Sequence, residues 1–120
     1  DADPPRLHAL ARAWAGDPHP LVRRAAVAGL CEPRLLRTPA APAEAIAVCA
    51  AATGSFAAIP AAHRRDEDVR TLRKALGYCW SVAVAADRPN GMPAFERLEA
   101  SDDPDIAWIV RENRGKARMR

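Results

Sequence analysis

The stretch from Asp17 to Leu30, DPHPLVRRAAVAGL, constrains the fold more than any other, because it holds a turn, a helix start and one apolar helical face. Asp17 can accept backbone hydrogen bonds at a helix start, and Pro18 and Pro20 stand where missing N–H groups cost little. Beyond them Leu21 or Val22, Ala25, Ala26 and Leu30 recur at helical spacing along one face, with Arg23 and Arg24 at its edge. Gly29 inside this pattern costs about 1 kcal/mol against Ala in a free helix and is a candidate point of close helix approach. Glu32 and Pro33 end the element, since a residue before proline is pushed out of the α region.

The rest of the chain supports an all-α fold. Alanine supplies 28 of the 120 residues, while Val, Ile and Thr are scattered rather than grouped in alternating runs. The 11 prolines stand where apolar periodicity stops, so they punctuate helices and do not indicate disorder. The length fits a single domain over 1–120, large enough to bury a modest core without disulfides. Opening without Met and directly on a helix-start signal, the sequence reads as a fragment of a longer chain.

In order along the chain, Asp3 caps a first helix carrying Leu7, Leu10, Ala11 and Trp14, which ends at Gly16. The second helix, Asp17 to Cys31, follows after a short turn, so the two form an antiparallel hairpin. Glu32 to Pro42 reads as a connection, and Ala43, Ile46, Ala47 and Ala50 mark the next helical face until Thr53-Gly54-Ser55 breaks it. Phe56 to His63 is left open between a helix kinked at Pro60 and two short helices. Asp66, Glu67 and Asp68 favour the start of the longest helix, whose stripe is Val69, Leu72, Leu76, Cys79 or Trp80, and Ala83, running to about Ala86. Asp87 to Gly91 reads as a turn, Pro93 as the opening of a short helix ending near Ala100, and Asp103-Pro104 as another helix start. Ile106, Ile109 and Val110 carry the last stripe, which Asn113 and Gly115 terminate before a basic tail over 111–120.

Two segments repeat. LVRRAA from Leu21 and TLRKAL from Thr71 align at an offset of 50, while an offset of 47 pairs Val22-Arg23 with Val69-Arg70. A further copy begins at Asp103-Pro104 without the Val-Arg pair. Helical hairpins repeating at this length read as a solenoid, each burying its faces against the next. Asp17, Pro18, Pro20, Val22, Arg23, Ala25, Ala26 and Leu30 together resemble the HEAT-repeat signature; His19 and Leu21 stand where acidic residues are frequent. The resemblance implies an all-α, right-handed α-α superhelix of stacked antiparallel hairpins. It further implies that Asp17 and Arg23 tie neighbouring repeats together, and that Arg24 and Lys74 lie on the concave binding side.

The net charge of +3 permits an anionic partner without demanding one. Arg111, Arg114, Lys116, Arg118 and Arg120 against Glu112 form the sharpest charge asymmetry; a frayed, solvated terminus and a phosphate-contacting arm both fit it. Trp14, Trp80 and Trp108 fall on or beside apolar stripes and read as core. The sharper alternative sets one of them beside Asp66, Asp102 or Asp103 in a pocket for an unstacked base, as in HEAT-like bacterial DNA alkylation-repair glycosylases. No motif assigns a catalytic residue. His8, His19 and His63 lack metal-ligand spacing, no cofactor loop is present, and no segment approaches the roughly 20 apolar residues of a membrane span. Cys31, Cys49 and Cys79 read as reduced core thiols of a cytoplasmic protein.

The expected function is thus a non-enzymatic HEAT-like scaffold whose concave face binds a protein, or another domain of its own chain. The alternative is a nucleic-acid-binding module related to the alkylpurine glycosylases. The candidate binding residues are Arg24, Arg73, Lys74, Arg114 and Lys116.

Overall fold

In the computed structural model, which describes residues 41–119, the apolar stripe beginning at Val69 runs along the longest helix, and the other helices pack against it. The α-helices among these residues are α1 (Ala41–Ala57), α2 (Glu67–Ala86), α3 (Arg88–Glu96) and α4 (Pro104–Arg114). Turns of 3-10 helix occur at Ala61–His63, Arg97–Ala100 and Ala117–Met119. No strand occurs among the described residues, which are helical as the sequence predicts. The helices expected between Asp3 and Cys31, with Trp14, Arg24 and one member of each aligned repeat, lie outside the described residues.

Val69, Leu72, Leu76, Cys79, Trp80 and Ala83 of α2 are all buried, and the helix ends at Ala86 as its periodicity predicts. Its N-terminal half shows one face to the core and one to solvent. From Cys79 to Val84, however, every residue is buried, because α1, α3 and α4 all pack on α2. Trp80 sits at the centre, fully buried, with its ring 5.9 Å from that of Phe95 at a tilt of 52°. Its indole N–H donates to the Thr53 hydroxyl at 2.9 Å, and that hydroxyl in turn donates to the Cys49 carbonyl at 2.7 Å.

These bonds hold α1 together where its apolar periodicity lapses. Helix α1 begins at Ala41, within the expected connection, and it continues through Thr53-Gly54-Ser55 to Ala57. Gly54 costs roughly 1 kcal/mol there, but Thr53 and Phe56 on either side of it are buried, and burying Phe56 alone is worth more than that. The buried face of α1 is Ala45, Ile46, Val48, Cys49, Ala52 and Phe56, whereas Ala43, Ala47 and Ala50 of the expected face are exposed. Val48, Cys49 and Phe56 bring more apolar area to the core than those alanines would. Pro60 resolves the open segment after Phe56: its backbone is extended, at φ −58° and ψ 147°, and it separates α1 from the turn at Ala61–His63.

Residues 87–93 also depart from the turn expected of them. Asp87 is not the start of a turn but the cap of α3, accepting from the Asn90 backbone N–H at 3.4 Å and from its side-chain amide at 2.8 Å. Pro89 occupies the first turn, where no donor is needed, and Pro93 lies inside the helix it was expected to open. Gly91 reads as a turn residue in sequence, yet its role is close approach: a Cβ there would lie 2.9 Å from Val84 Cα.

Helix α4 starts at the expected place. The Asp103 carboxylate accepts from Asp105 N–H at 2.9 Å, Pro104 follows, and Ile106, Ile109 and Val110 are buried. Asn113, expected to end the helix, instead lies fully buried against α2. Its Oδ1 accepts from Ser81 N–H at 2.9 Å, and its Nδ2 donates to the carbonyls of Leu76 at 2.9 Å and Ile109 at 2.7 Å. Gly115 then caps α4. Cys49 and Cys79 are buried and outside any disulfide. Among the described residues no helix is long and apolar enough to cross a membrane.

Candidate functional site

The prominent polar constellation lies where the N-terminal ends of α2 and α4 meet the segment after α1. Pro60 turns the chain there and delivers Arg64 back over α1. The Arg64 guanidinium is fixed by backbone first, its Nε donating to Ile59 O at 2.8 Å and Nη2 to Ala57 O at 3.1 Å. It lies 4.7 Å above the Phe56 ring centre. Its remaining donors reach Asp103 in a two-pronged contact at 2.9 and 3.2 Å, and Asp105 at 2.9 Å.

Asp105 joins this arginine to a second. Its other oxygen accepts from Arg73 Nε at 2.9 Å, and the Arg73 guanidinium stacks 3.7 Å over the centre of the Trp108 ring. Trp108 can lie flat on α2 because Gly77 leaves room; a Cβ at that position would be 2.9 Å from the indole. The network thus runs from Phe56 through Arg64, the two aspartates and Arg73 to Trp108. Its four charged side chains are 13 to 28 % exposed, so these ion pairs are partly shielded from water. The paired, two-pronged hydrogen bond from Arg64 holds the Asp103 carboxyl below its ordinary range and raises the arginine in return.

Around the network opens a cleft of about 850 Å³, and Arg65, Arg70 and Asp102 complete its charged lining. All three are exposed, and none makes an ion pair among the described residues. With four arginines and three aspartates in its lining, the cleft is suited to recognising a charged group. Among the described residues no group of three or more His, Cys, Asp or Glu side chains is gathered in metal-binding fashion.

The residues singled out in the sequence are divided by the fold. Arg73 is inside the network, and Lys74 beside it on α2 is exposed. Arg114 pairs with Glu99 and lies 5.4 Å from the Phe95 ring centre, at the opposite end of α4. With a rise of about 1.5 Å per residue, that end is roughly 16 Å from Asp103. Lys116 is half-buried there, next to a C-terminal turn whose Arg118 carbonyl accepts from Arg88 at 2.9 Å. Arg24 lies outside the described residues. Of the acids considered beside an aromatic, Asp102 and Asp103 line the cleft, while Asp66 instead approaches His63 at 3.2 Å. Sequence reasoning missed Arg64, Arg65, Arg70 and Asp105. The Arg64-Arg65 doublet was the available signal, but its partners stand 39 and 41 positions away.

Comparison with protein-family models, curated proteins and solved structures finds no match for this chain.

Proposed function

We propose that this chain is a non-enzymatic helical module, built from stacked hairpins of the HEAT-like kind, that binds a protein partner through the basic side of α2. The observation that carries the proposal is the division of labour among neighbouring cations. Arg64 is committed to contacts within the fold and Arg73 gives it only its Nε, while Arg65, Arg70 and Lys74 are exposed beside them without ion pairs among the described residues. Exposed cations beside a rigid, partly aromatic framework suit recognition of a partner, since the helix that carries them needs no further ordering and their charges are not already neutralised by a neighbour among the described residues.

The nucleic-acid reading has less to draw on. Trp80 is fully buried with its N–H committed to Thr53, and Trp108 has Arg73 over one face and packs near Gly77. Neither offers an open platform for an unstacked base. A photo-crosslinking residue replacing Lys74 in the full chain, expressed in its native cells, should give a discrete protein adduct that Arg70→Glu removes. Adducts to nucleic acid alone, together with a gel shift that weakens steeply with salt, would overturn the proposal.

A further inference from the structure

The charges of the cleft do not cancel evenly. Arg64 and Arg73 are matched by Asp103 and Asp105, which leaves Arg65 and Arg70 facing one acid, Asp102, that is unpaired among the described residues. Arg73 contributes more than its ion pair, because Asp105 takes only its Nε. Among the described residues its two terminal amino groups donate to nothing, and the guanidinium is already held flat by Trp108.

We infer that the cleft recognises an extended peptide segment in which a carboxylate side chain stands next to a hydrogen-bond donor. The carboxylate is received by Arg70 and the terminal amino groups of Arg73, with Arg65 at the rim, and the donor faces Asp102. Two arginine forks match carboxylate geometry, and the one already stacked and paired loses little rotamer freedom on binding. A volume of about 850 Å³ accommodates a few extended residues, within the range of small recognition pockets and far from the span of a duplex. Asp102 also selects: a phosphate dianion or a nucleic-acid backbone brings its charge against this carboxylate, whereas a peptide can offer it an N–H or a hydroxyl. The inference rests on the protein-binding proposal and specifies its ligand.

Fluorescence anisotropy on the full chain, with a labelled peptide of alternating glutamate and serine, tests it. We expect binding that weakens with salt, and losses on the order of tenfold for each of Arg65→Glu and Arg70→Glu. Arg111→Glu, an exposed charge change on α4 outside the cleft lining, should leave the affinity unchanged. A glutamine–serine peptide should bind at least tenfold more weakly. A phosphoserine peptide and an oligothymidylate should also bind more weakly, and Asp102→Asn should narrow that gap. Equal binding of the glutamine peptide, indifference to Arg70→Glu, or tighter binding of either phosphate ligand would each overturn the inference. If the glutamate peptide fails to bind while the Lys74 crosslink persists, the cleft assignment falls and the protein-binding proposal stands. Cleft-dependent peptide binding without any protein adduct would instead support the cleft assignment and count against Lys74 as part of the contact surface.

Discussion

Helices α2 and α4 are tied together twice, by opposite means. At one end Arg73 of α2 meets Asp105 of α4, which Arg64 from the preceding segment also holds, through charged side chains that are still 13 to 28 % exposed. Toward the other, Asn113 does so with a neutral amide that is completely buried and makes three hydrogen bonds. The difference separates holding from displaying. A satisfied buried amide is strong because its removal strands backbone groups away from water, whereas partly exposed ion pairs add little net stability and leave charge available at the surface. The buried junction accordingly secures the helices, and the charged one shapes a surface.

That contrast can be broken by experiment, and denaturant titration of the full chain provides the scale. Trp80→Ala should have the largest effect, about 3–5 kcal/mol, because it empties the centre of the buried end and removes the donor to Thr53. Asn113→Ala should follow at about 2–4 kcal/mol, since it leaves Ser81 N–H without its side-chain acceptor and opens a cavity. Asp105→Asn, at the charged end, should cost only about 1 kcal/mol. A larger loss for Asp105→Asn than for Asn113→Ala would reverse the assignment of roles.

The smallest effects come from solution conditions. Raising salt to about 1 M should remove most of the Asp105→Asn difference while leaving the Asn113→Ala difference intact. Asp103 supplies the pH dependence. Its carboxyl is held below the ordinary range in the folded chain, so its stabilisation is complete above that range and is lost as pH falls through the lowered folded value. Asp103→Asn should therefore flatten the acid limb of the stability curve; an unchanged limb would assign acid sensitivity to other carboxylates.

The stripe of α2 was legible because Val69, Leu72 and Leu76 alternate with Arg70, Arg73 and Lys74, which gives the helix two contrasting faces. In α1 almost every residue is Ala or another small apolar side chain, so spacing alone did not separate the buried face from the exposed one. The Pro-Asn-Gly run at Pro89 carries the composition of a turn, but packing of Gly91 on Val84 used the same residue for a different purpose. The cleft was the least legible part. Asp103 was identifiable as a helix cap, yet nothing local links it to Arg64 at a separation of 39 residues. Only the turn at Pro60 and the crossing of α4 over α2 bring them together.

Gly77 carries a consequence for how this chain can change over time. Its missing side chain admits the Trp108 ring, that ring supports Arg73, and Arg73 meets Asp105. A larger residue at position 77 becomes tolerable once Trp108 is replaced by something smaller, and Arg73 then loses its platform. Related sequences should accordingly vary at positions 73, 77 and 108 as a set, so that joint substitution there, more than invariance at any one of them, is the historical trace this packing leaves.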